Sequence, residues 1–140
     1  MALCGCASSG SPASSGSSTA AGSKSVDFNN KSLEIFFDQV LCQALTRATK
    51  TTGYSLSSTN ANNDASAQFN NWRSSMLQGP AFLISNPVDS ANLIPLTTQA
   101  KAKKIPVGVI DTPLTGGAVD FTIALNNRQG GVLAAQETGA

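Results

Sequence analysis

Apolar and polar residues alternate with two different periods along the chain, and the clearest example begins at Asn63. From Ala65 to Met76 apolar residues recur at spacings of four, three and four, which places them on one face of a helix. Asn63 or Asp64 is suited to accept the free N–H groups at the helix start. Gly79 tolerates a positive φ and is suited to end the helix. The residues on the apolar face are Ala65, Phe69, Trp72 and Met76.

The residues after this helix predict a buried strand and a polar loop. Residues 81–84 are a continuous apolar run between turn signals, which is typical of a strand covered on both faces. Residues 86–90, with the sequence Asn-Pro-Val-Asp-Ser, follow directly. In open α/β sheets, ligands bind beside loops at the carboxyl ends of the strands, so this loop is a candidate binding element.

Strand and helix patterns continue to alternate on both sides of this stretch. A helix is predicted over 35–51, with an apolar stripe that repeats at three and four. The stripe consists of Phe36, Phe37, Val40, Leu41, Ala44, Leu45 and Ala48, with Cys42 beside it as a boundary residue. Strands are predicted over 25–29, 54–59, 105–110 and 119–125, and a final helix is capped by Asn127. A further helix over 90–103 contains Pro95, which is either tolerated near the first turn or kinks the helix.

Strands that alternate with helices at this spacing predict an α/β fold with a doubly wound parallel sheet and right-handed crossovers. We expect the strand order 2-1-3-4-5, with the switch point between strands 1 and 3. The first strand is unusually polar for a central strand. A chain of 140 residues can bury one core, so one domain is expected over 25–140.

The loops after strands 1, 3, 4 and 5 meet at one edge of such a sheet and carry carboxylates, amides and aromatic rings, the groups that bind sugars. They contain Ser32, Glu34, Phe36, Phe37, Asn86, Asp89, Asp111, Thr112, Asn126 and Asn127. Phe36 and Phe37 are alternatively core residues. Asp89 is alternatively a helix cap, and Asn86 a support for the loop backbone. Asp111 follows a buried strand and has no evident capping role, so it is the strongest candidate.

Composition excludes several classes of function. The chain has no histidine, which rules out Ser–His and Cys–His nucleophile pairs and His-based metal sites within it. Glu34 and Asp111 suggest acid/base catalysis only if they lie close together, which the sequence does not reveal. No Walker or dinucleotide-binding pattern is present. We therefore expect a protein that is not an enzyme and needs no cofactor.

Charge gives no reason to expect a nucleic acid or a membrane surface as a partner. The net charge is +1 and charged residues make up 12% of the chain. Lys101, Lys103 and Lys104 form the only basic cluster, which we interpret as a solvated helix end. No apolar run is long enough to span a membrane.

The first 24 residues have a different character from the rest. Leu3-Cys4-Gly5-Cys6 is similar to a bacterial lipobox, which makes Cys6 a candidate lipidation site. Only Met1 and Ala2 precede Leu3, so the basic and apolar regions of a signal peptide are not present before it. Residues 7–23 contain only Ala, Ser, Gly, Pro and Thr, which cannot bury enough apolar surface to offset their ordering entropy. We interpret 1–24 as a lipobox-like leader and a disordered tether. The alternative is a chance cysteine pair in a disordered tail.

The runs ANNDASAQ at 61–68 and NPVDS at 86–90, in this order and spacing, resemble the N-terminal lobe of type I periplasmic binding proteins. These are the ribose-binding-like sugar receptors of ABC transporters, and the resemblance covers about residues 25–137. It implies a periplasmic or cell-envelope protein whose second lobe is absent from this chain. Its implied partners are a sugar or polyol and the transporter's membrane subunits. The ligand-sensing domain of a LacI-type transcription regulator shares this lobe and is the alternative.

The resemblance also implies which residues bind the ligand. Sugar receptors of this kind usually have Asn-Pro-Phe-Phe after strand 1, Asp-Arg after strand 4 and Asp-Asn after strand 5. This chain has Glu-Ile-Phe-Phe at 34–37, Asp-Thr at 111–112 and Asn-Asn at 126–127. The implied ligand-binding residues are Glu34, Phe36, Phe37, Asp111, Thr112 and Asn127. Because Glu34 and Thr112 depart from the pattern, a pentose is not specifically indicated.

Overall fold

The computed structural model describes residues 24–139, which contain five strands and four helices. In chain order they are β1 (Ser25–Asn30), α1 (Phe36–Thr52), β2 (Ser55–Asn60), α2 (Ala65–Gln78), β3 (Phe82–Ser85), α3 (Ile94–Ala102), β4 (Val107–Ile110), β5 (Phe121–Ile123) and α4 (Asn127–Thr138). Each strand and helix predicted from the sequence is present. Within this range no helix combines the length and the apolar character that crossing a membrane requires. Cys6 and the leader lie outside the described residues.

The five strands form one sheet in the order β2-β1-β3-β4-β5, and all neighbouring strands are parallel. The predicted α/β fold and strand order are confirmed. The winding changes direction at β1, which lies between β2 and β3. Because all strands run the same way, the loops that follow them gather at one edge, here called the carboxyl edge. The loops that precede them gather at the opposite edge, the amino edge.

Helix α2 begins and ends at the residues that its sequence predicts. The carboxylate of Asp64 accepts hydrogen bonds from the backbone N–H groups of Ser66, at 2.7 Å, and Ala67, at 3.0 Å. Asp64 is therefore the cap, and Asn63 is not. Gly79 ends the helix with a left-handed φ of 62°.

The main apolar core lies between one face of the sheet and helices α2 and α3. Leu83 and Val107 are paired on neighbouring parallel strands, so their side chains point to the same face. The buried core residues are Trp72, Met76, Leu83, Leu93, Leu96, Ala100, Ile105, Val107 and Val109. Phe69 packs against this cluster, as the helical pattern predicts. Full burial of a large apolar side chain contributes about 1.5–3 kcal/mol to stability, so this face anchors the fold.

The apolar stripe predicted along α1 is mostly wrong. Its exposed members are Phe36, Phe37, Val40, Ala44 and Ala48. Leu41 and Leu45 are half-buried, and the buried residues of the helix are the polar Asp38 and Thr49. Cys42 is half-buried beside Ser58 of β2, so its boundary position is confirmed. The periodicity predicted a wider apolar face than the helix buries, because Asp38 and Thr49 take two of its inward positions.

Three elements are shorter than predicted: α3, β5, and β4, which begins at Val107. Helix α3 begins at Ile94 because the chain before it forms turns. Pro95 therefore lies in the first turn, where a missing N–H costs no helical hydrogen bond, and it does not kink the helix. Strand β5 covers Phe121–Ile123 and its three residues are exposed, because it pairs with β4 alone among the described strands.

Gly108 provides the space in which β5 meets β4. It is paired with Phe121, and the aromatic ring of Phe121 lies over its α-carbon. A β-carbon built on Gly108 would overlap three atoms of that ring. Only glycine at this position leaves the ring where it is.

The Gly108→Ala variant is expected to lose about 1–3 kcal/mol of unfolding free energy, because the ring of Phe121 must be displaced. Urea denaturation measures the loss. Gly130→Ala in α4 is the control and should not destabilise, since nothing lies within 4 Å of a β-carbon there. The cost of Gly108→Ala should shrink in a Phe121→Ala background. An equal cost in both backgrounds would contradict the packing explanation.

Asp27 places a carboxyl group in the middle of β1, where it is only 3% exposed. It is paired with Leu83, so it lies on the face of the sheet that carries the apolar core. Burial raises the pKa of Asp27 above its ordinary value of 3.8, and a hydrogen bond with the side chain of Ser57 offsets part of the rise. The folded protein therefore holds this proton more tightly than the unfolded chain does.

The raised pKa of Asp27 predicts a pH dependence of stability. The unfolding free energy should fall as the pH rises from the ordinary value of 3.8 through the raised folded-state pKa, because the buried group must then ionise. Asp27→Asn should remove that fall and be the more stable form at neutral pH. Urea denaturation across this pH range tests both expectations, with Glu137→Gln, an exposed site, as control. An unchanged pH dependence in Asp27→Asn would refute the assignment.

Candidate functional site

The residues predicted to bind a ligand lie in loops and helix starts at the carboxyl edge. Glu34 and Phe37 flank the start of α1, which follows β1, and Asp111 follows β4. Thr112 is next to Asp111, and Asn127 opens α4 after β5. The parallel sheet brings these segments to one edge although they are far apart in sequence.

Phe37 and Asp111 share one cleft at this edge, with a volume of about 260 Å³. Its other walls are apolar and come from Leu41, Ile110, Ile123, Ala124 and Leu125. Asp111 is the single charged residue in the lining of the cleft, and Phe37 is the single aromatic one. A polyhydroxylated ring suits this combination, because a carboxylate accepts hydrogen bonds from hydroxyl groups and an aromatic ring covers apolar C–H faces.

The backbone at Asp111 is held in a conformation that non-glycine residues seldom adopt. Its φ is 69°, in the left-handed region. The N–H of Asp111 donates to the carbonyl of Ile123 at 2.7 Å, and the N–H of Thr112 donates to the carbonyl of Ile110 at 2.9 Å. These bonds to β4 and β5 hold the backbone at Asp111 in this conformation. Residues held in this way cluster at binding and active sites.

The other predicted residues do not line the cleft. Phe36 is 78% exposed, and Glu34 and Asn127 are exposed as well. Thr112 is half-buried beside Asp111. The alternative in which Phe36 and Phe37 are core residues is wrong, since both are exposed. The structure therefore places Phe37 and Asp111 in the lining of one cleft and leaves the remaining four outside that lining.

A buried polar layer lies beneath this edge, and the sequence analysis missed most of it. Its members are Asn29, Asn30, Asp38 and Asn86, each no more than 1% exposed. The amide of Asn86 donates to the carboxylate of Asp38 at 2.6 Å, which links the loop after β3 to α1. The side-chain N and O atoms of Asn29 and Asn30 have no hydrogen-bond partner among the described residues. The polar residues at the end of the first strand were the sequence feature from which this layer could have been predicted.

Gln68 holds the loop after β3 to helix α2. Its side-chain N–H donates to the carbonyl of Asn86 at 2.8 Å, and its side-chain oxygen accepts the N–H of Val88 at 2.8 Å. The side chain of Asn86 was expected to support the loop backbone, and it holds the loop by bonding to Asp38 of α1. The helical pattern gave no sign of this role, since it followed apolar residues only.

Two further polar residues of the edge act as caps. Asp89 accepts the N–H groups of Ala91, at 2.8 Å, and Asn92, at 2.7 Å, and these bonds hold the pKa of Asp89 below its ordinary value. Its predicted capping role is confirmed, although it caps the turn before α3 and not the helix itself. Asn126 caps α4 by accepting the N–H of Gln129 at 3.1 Å. The prediction that Asn127 is this cap is wrong by one residue.

No group of three or more His, Cys, Asp or Glu side chains is placed to hold a metal ion within 24–139. Several of the described carboxylates accept hydrogen bonds within the protein, as Asp64, Asp89 and Asp38 do.

Comparisons with known proteins agree with this geometry. A family model described as periplasmic binding protein domain matches residues 26–140. The ribose import binding protein RbsB of Bacillus subtilis is 30% identical over 95 residues, which cover 68% of this chain and 31% of that protein. The chain thus spans about a third of the length of this curated relative.

Solved structures show the same fold. An ABC transporter solute binding protein from Mycobacterium smegmatis, with bound glycerol, is 28% identical with a TM-score of 0.65, over 71% of this chain and 35% of that one. A Caulobacter myo-inositol binding protein, bound to myo-inositol, is 21% identical with a TM-score of 0.73, over 80% of this chain and 38% of that one. At this identity the second match supports the fold alone.

Replacing Gln68 with Ala is expected to lower the unfolding free energy by about 2 kcal/mol, because buried backbone groups of the β3 loop lose their partner. Urea denaturation gives the value. Gln78→Ala is the matched control, since Gln78 is exposed at the end of the same helix and should cost little. Similar losses of unfolding free energy in the two variants would contradict the role of Gln68 in holding the loop.

Proposed function

The chain belongs to the periplasmic binding protein domain family, and we propose that it forms one lobe of a sugar- or polyol-binding protein that serves an ABC transporter. The observation that carries the proposal is the cleft at the carboxyl edge that Phe37 and Asp111 both line. A family relationship alone does not specify a ligand, whereas a carboxylate and an aromatic ring in one apolar cleft select a polyhydroxylated molecule.

In the proposed complex, Asp111 accepts hydrogen bonds from two neighbouring hydroxyl groups of the ligand. Charge-assisted bonds of this kind are roughly twice as strong as neutral ones. The ring of Phe37 covers the apolar face of the ligand. Glu34, Thr112 and Asn127 lie at the same edge with Phe36, where they can reach hydroxyl groups that project from the cleft.

The cleft is open, and we propose that a second lobe closes over it. The exposed rings of Phe36 and Phe37, 78% and 43% exposed, lie where such a lobe would approach. The chain spans about a third of the length of its curated relative, so that relative is long enough to contain a second lobe. Closure of two lobes about a hinge would shield the ligand from water and strengthen its hydrogen bonds.

The remaining parts of the proposal follow from the family. The relatives named above are solute-binding proteins, so we infer a binding protein and not an enzyme. Its partners would be the ligand and the membrane subunits of the transporter. Its place would be the periplasm or cell envelope, with Cys6 as the proposed lipid anchor.

Calorimetric titration of the protein with pentoses, hexoses and polyols tests the function. One compound of the panel should bind, and at about 100 times its dissociation constant it should add about 2.7 kcal/mol of stability, visible as a rise in melting temperature. Asp111→Ala should bind that compound about ten- to a hundredfold more weakly, because a charged hydrogen-bond acceptor is lost.

The control is Glu137→Gln, which removes a carboxylate from the far end of α4 and should leave binding unchanged. Phe37→Ala should weaken binding without changing the order of preference among sugars. Binding that survives Asp111→Ala and Phe37→Ala unchanged would place the ligand elsewhere. No binding across the whole panel would refute the sugar assignment.

A further inference from the structure

The amino edge of the sheet, opposite the ligand cleft, holds a second and larger cavity of about 760 Å³. Its lining comes from segments that directly precede β1, β2, β3 and β4, together with the end of α2. The lining residues that matter here are Lys24, Tyr54, Leu77, Phe82, Lys103 and Lys104. The proposed ligand site uses none of them.

Positive charge converges on this cavity from distant parts of the chain. Lys24 precedes β1, whereas Lys103 and Lys104 follow α3, and none of the residues lining the cavity is acidic. Arg73 lines an adjoining depression with Lys103. Lys101 lies near Asp120, whose carboxylate is engaged in accepting the N–H of Val107 at 2.7 Å. The sequence revealed only the run at 101–104, because folding adds Lys24 and Arg73 to it.

Negative charge gathers at the other edge. The acidic residues in the loops and helix starts of the carboxyl edge are Glu34, Asp38, Asp64, Asp89 and Asp111. The basic residues there are Lys31 and Arg128. A net charge of +1 therefore conceals a domain that is electrically polarised along its strands. An anionic surface would attract the amino edge and repel the carboxyl edge.

Apolar side chains stand among the lysines. The side chain of Leu77 is 83% exposed, and the rings of Tyr54 and Phe82 meet edge to face with centroids 6.0 Å apart. Exposed lysines next to an exposed leucine can bind a surface with an anionic outer layer and an apolar interior, because the lysines contact the first and the leucine the second. They suit a small free anion less well, since no lysine here is buried to grip one.

We propose that the amino edge is a docking surface for the anionic phospholipid headgroups of a membrane, with Leu77 entering the interface. Docking in this way would leave the cleft at Phe37 and Asp111 uncovered. Residues 7–23 connect Cys6 to Lys24, which lies at the amino edge. A lipid on Cys6 would therefore attach the domain to the membrane from the edge that docks. The surface itself does not depend on that anchor or on the identity of the sugar.

The test is co-sedimentation of the 140-residue chain, without acylation, with vesicles of phosphatidylcholine that contain phosphatidylglycerol or lack it. Binding should require phosphatidylglycerol. It should disappear when the ionic strength rises from about 0.1 M to about 1 M, because the screening length then falls from about 10 Å to about 3 Å. The combined variant Lys103→Gln and Lys104→Gln should bind about twenty-fivefold more weakly, at about fivefold for each lysine. Leu77→Ser should weaken binding and leave its salt dependence intact.

The matched control is Lys31→Gln with Arg128→Gln, which removes the same charge from the carboxyl edge and should bind as the unaltered chain does. Circular dichroism confirms that each variant is folded. Equal binding to both kinds of vesicle would overturn the proposal, as would equal weakening by the two double variants. Release from the vesicles by inorganic phosphate, at the concentration of the lipid phosphate, would indicate a small-anion site and overturn it too.

Discussion

The pairing of β1 with both of its neighbours is the interaction on which the rest of the structure depends. β1 pairs with β2 over six residues and with β3 over four, and it carries buried polar side chains at its carboxyl end. The side chains of Asn29 and Asn30 have no partner among the described residues, and each unsatisfied buried group costs about 1–3 kcal/mol. The backbone ladders and the apolar core beneath α2 and α3 must offset that cost. A strand with these buried polar side chains would not be stable if it paired with only one neighbouring strand.

The same pairing determines how the carboxyl edge is built. With β1 and β3 adjacent, Asp38 at the start of α1 reaches Asn86 after β3, and Gln68 fixes the same loop from α2. On the other side, β5 holds the left-handed backbone at Asp111 through the carbonyl of Ile123. The cleft is thus supported by buried hydrogen bonds on one side and by an edge strand on the other. Rigid support of this kind lowers the entropy lost when a ligand binds, which is how a single lobe can present preformed contacts.

The two edges of the sheet differ in the chemistry they expose. The carboxyl edge gathers carboxylates and aromatic rings around a small cleft, and the amino edge gathers lysines around a larger cavity. Helices in this fold run opposite to the strands, so helix starts meet the first edge and helix ends meet the second. Acidic residues are stabilised near helix starts and basic residues near helix ends. The preference of charged residues for helix ends therefore explains part of the charge difference between the two edges. Lys24 and the exposed Leu77 belong to no helix cap, and they distinguish the amino edge as a proposed docking surface.

The sequence by itself determined the fold class and the ends of α2, because these depend on local periodicity and on caps such as Asp64 that act within a few residues. The strand order was predicted from the usual topology of folds with this alternation of strands and helices. It also pointed to Asp111, since a carboxylate directly after a buried strand has few structural uses. The tertiary structure alone decided that Phe37 and Asp111 line one cleft, that Asp38 and not an apolar stripe faces the sheet from α1, and that Gln68 holds the β3 loop. It also decided that Lys24 joins the lysines near 103. These are contacts between residues far apart in the chain, and periodicity reports which face of an element is apolar, but not which partner that face will meet.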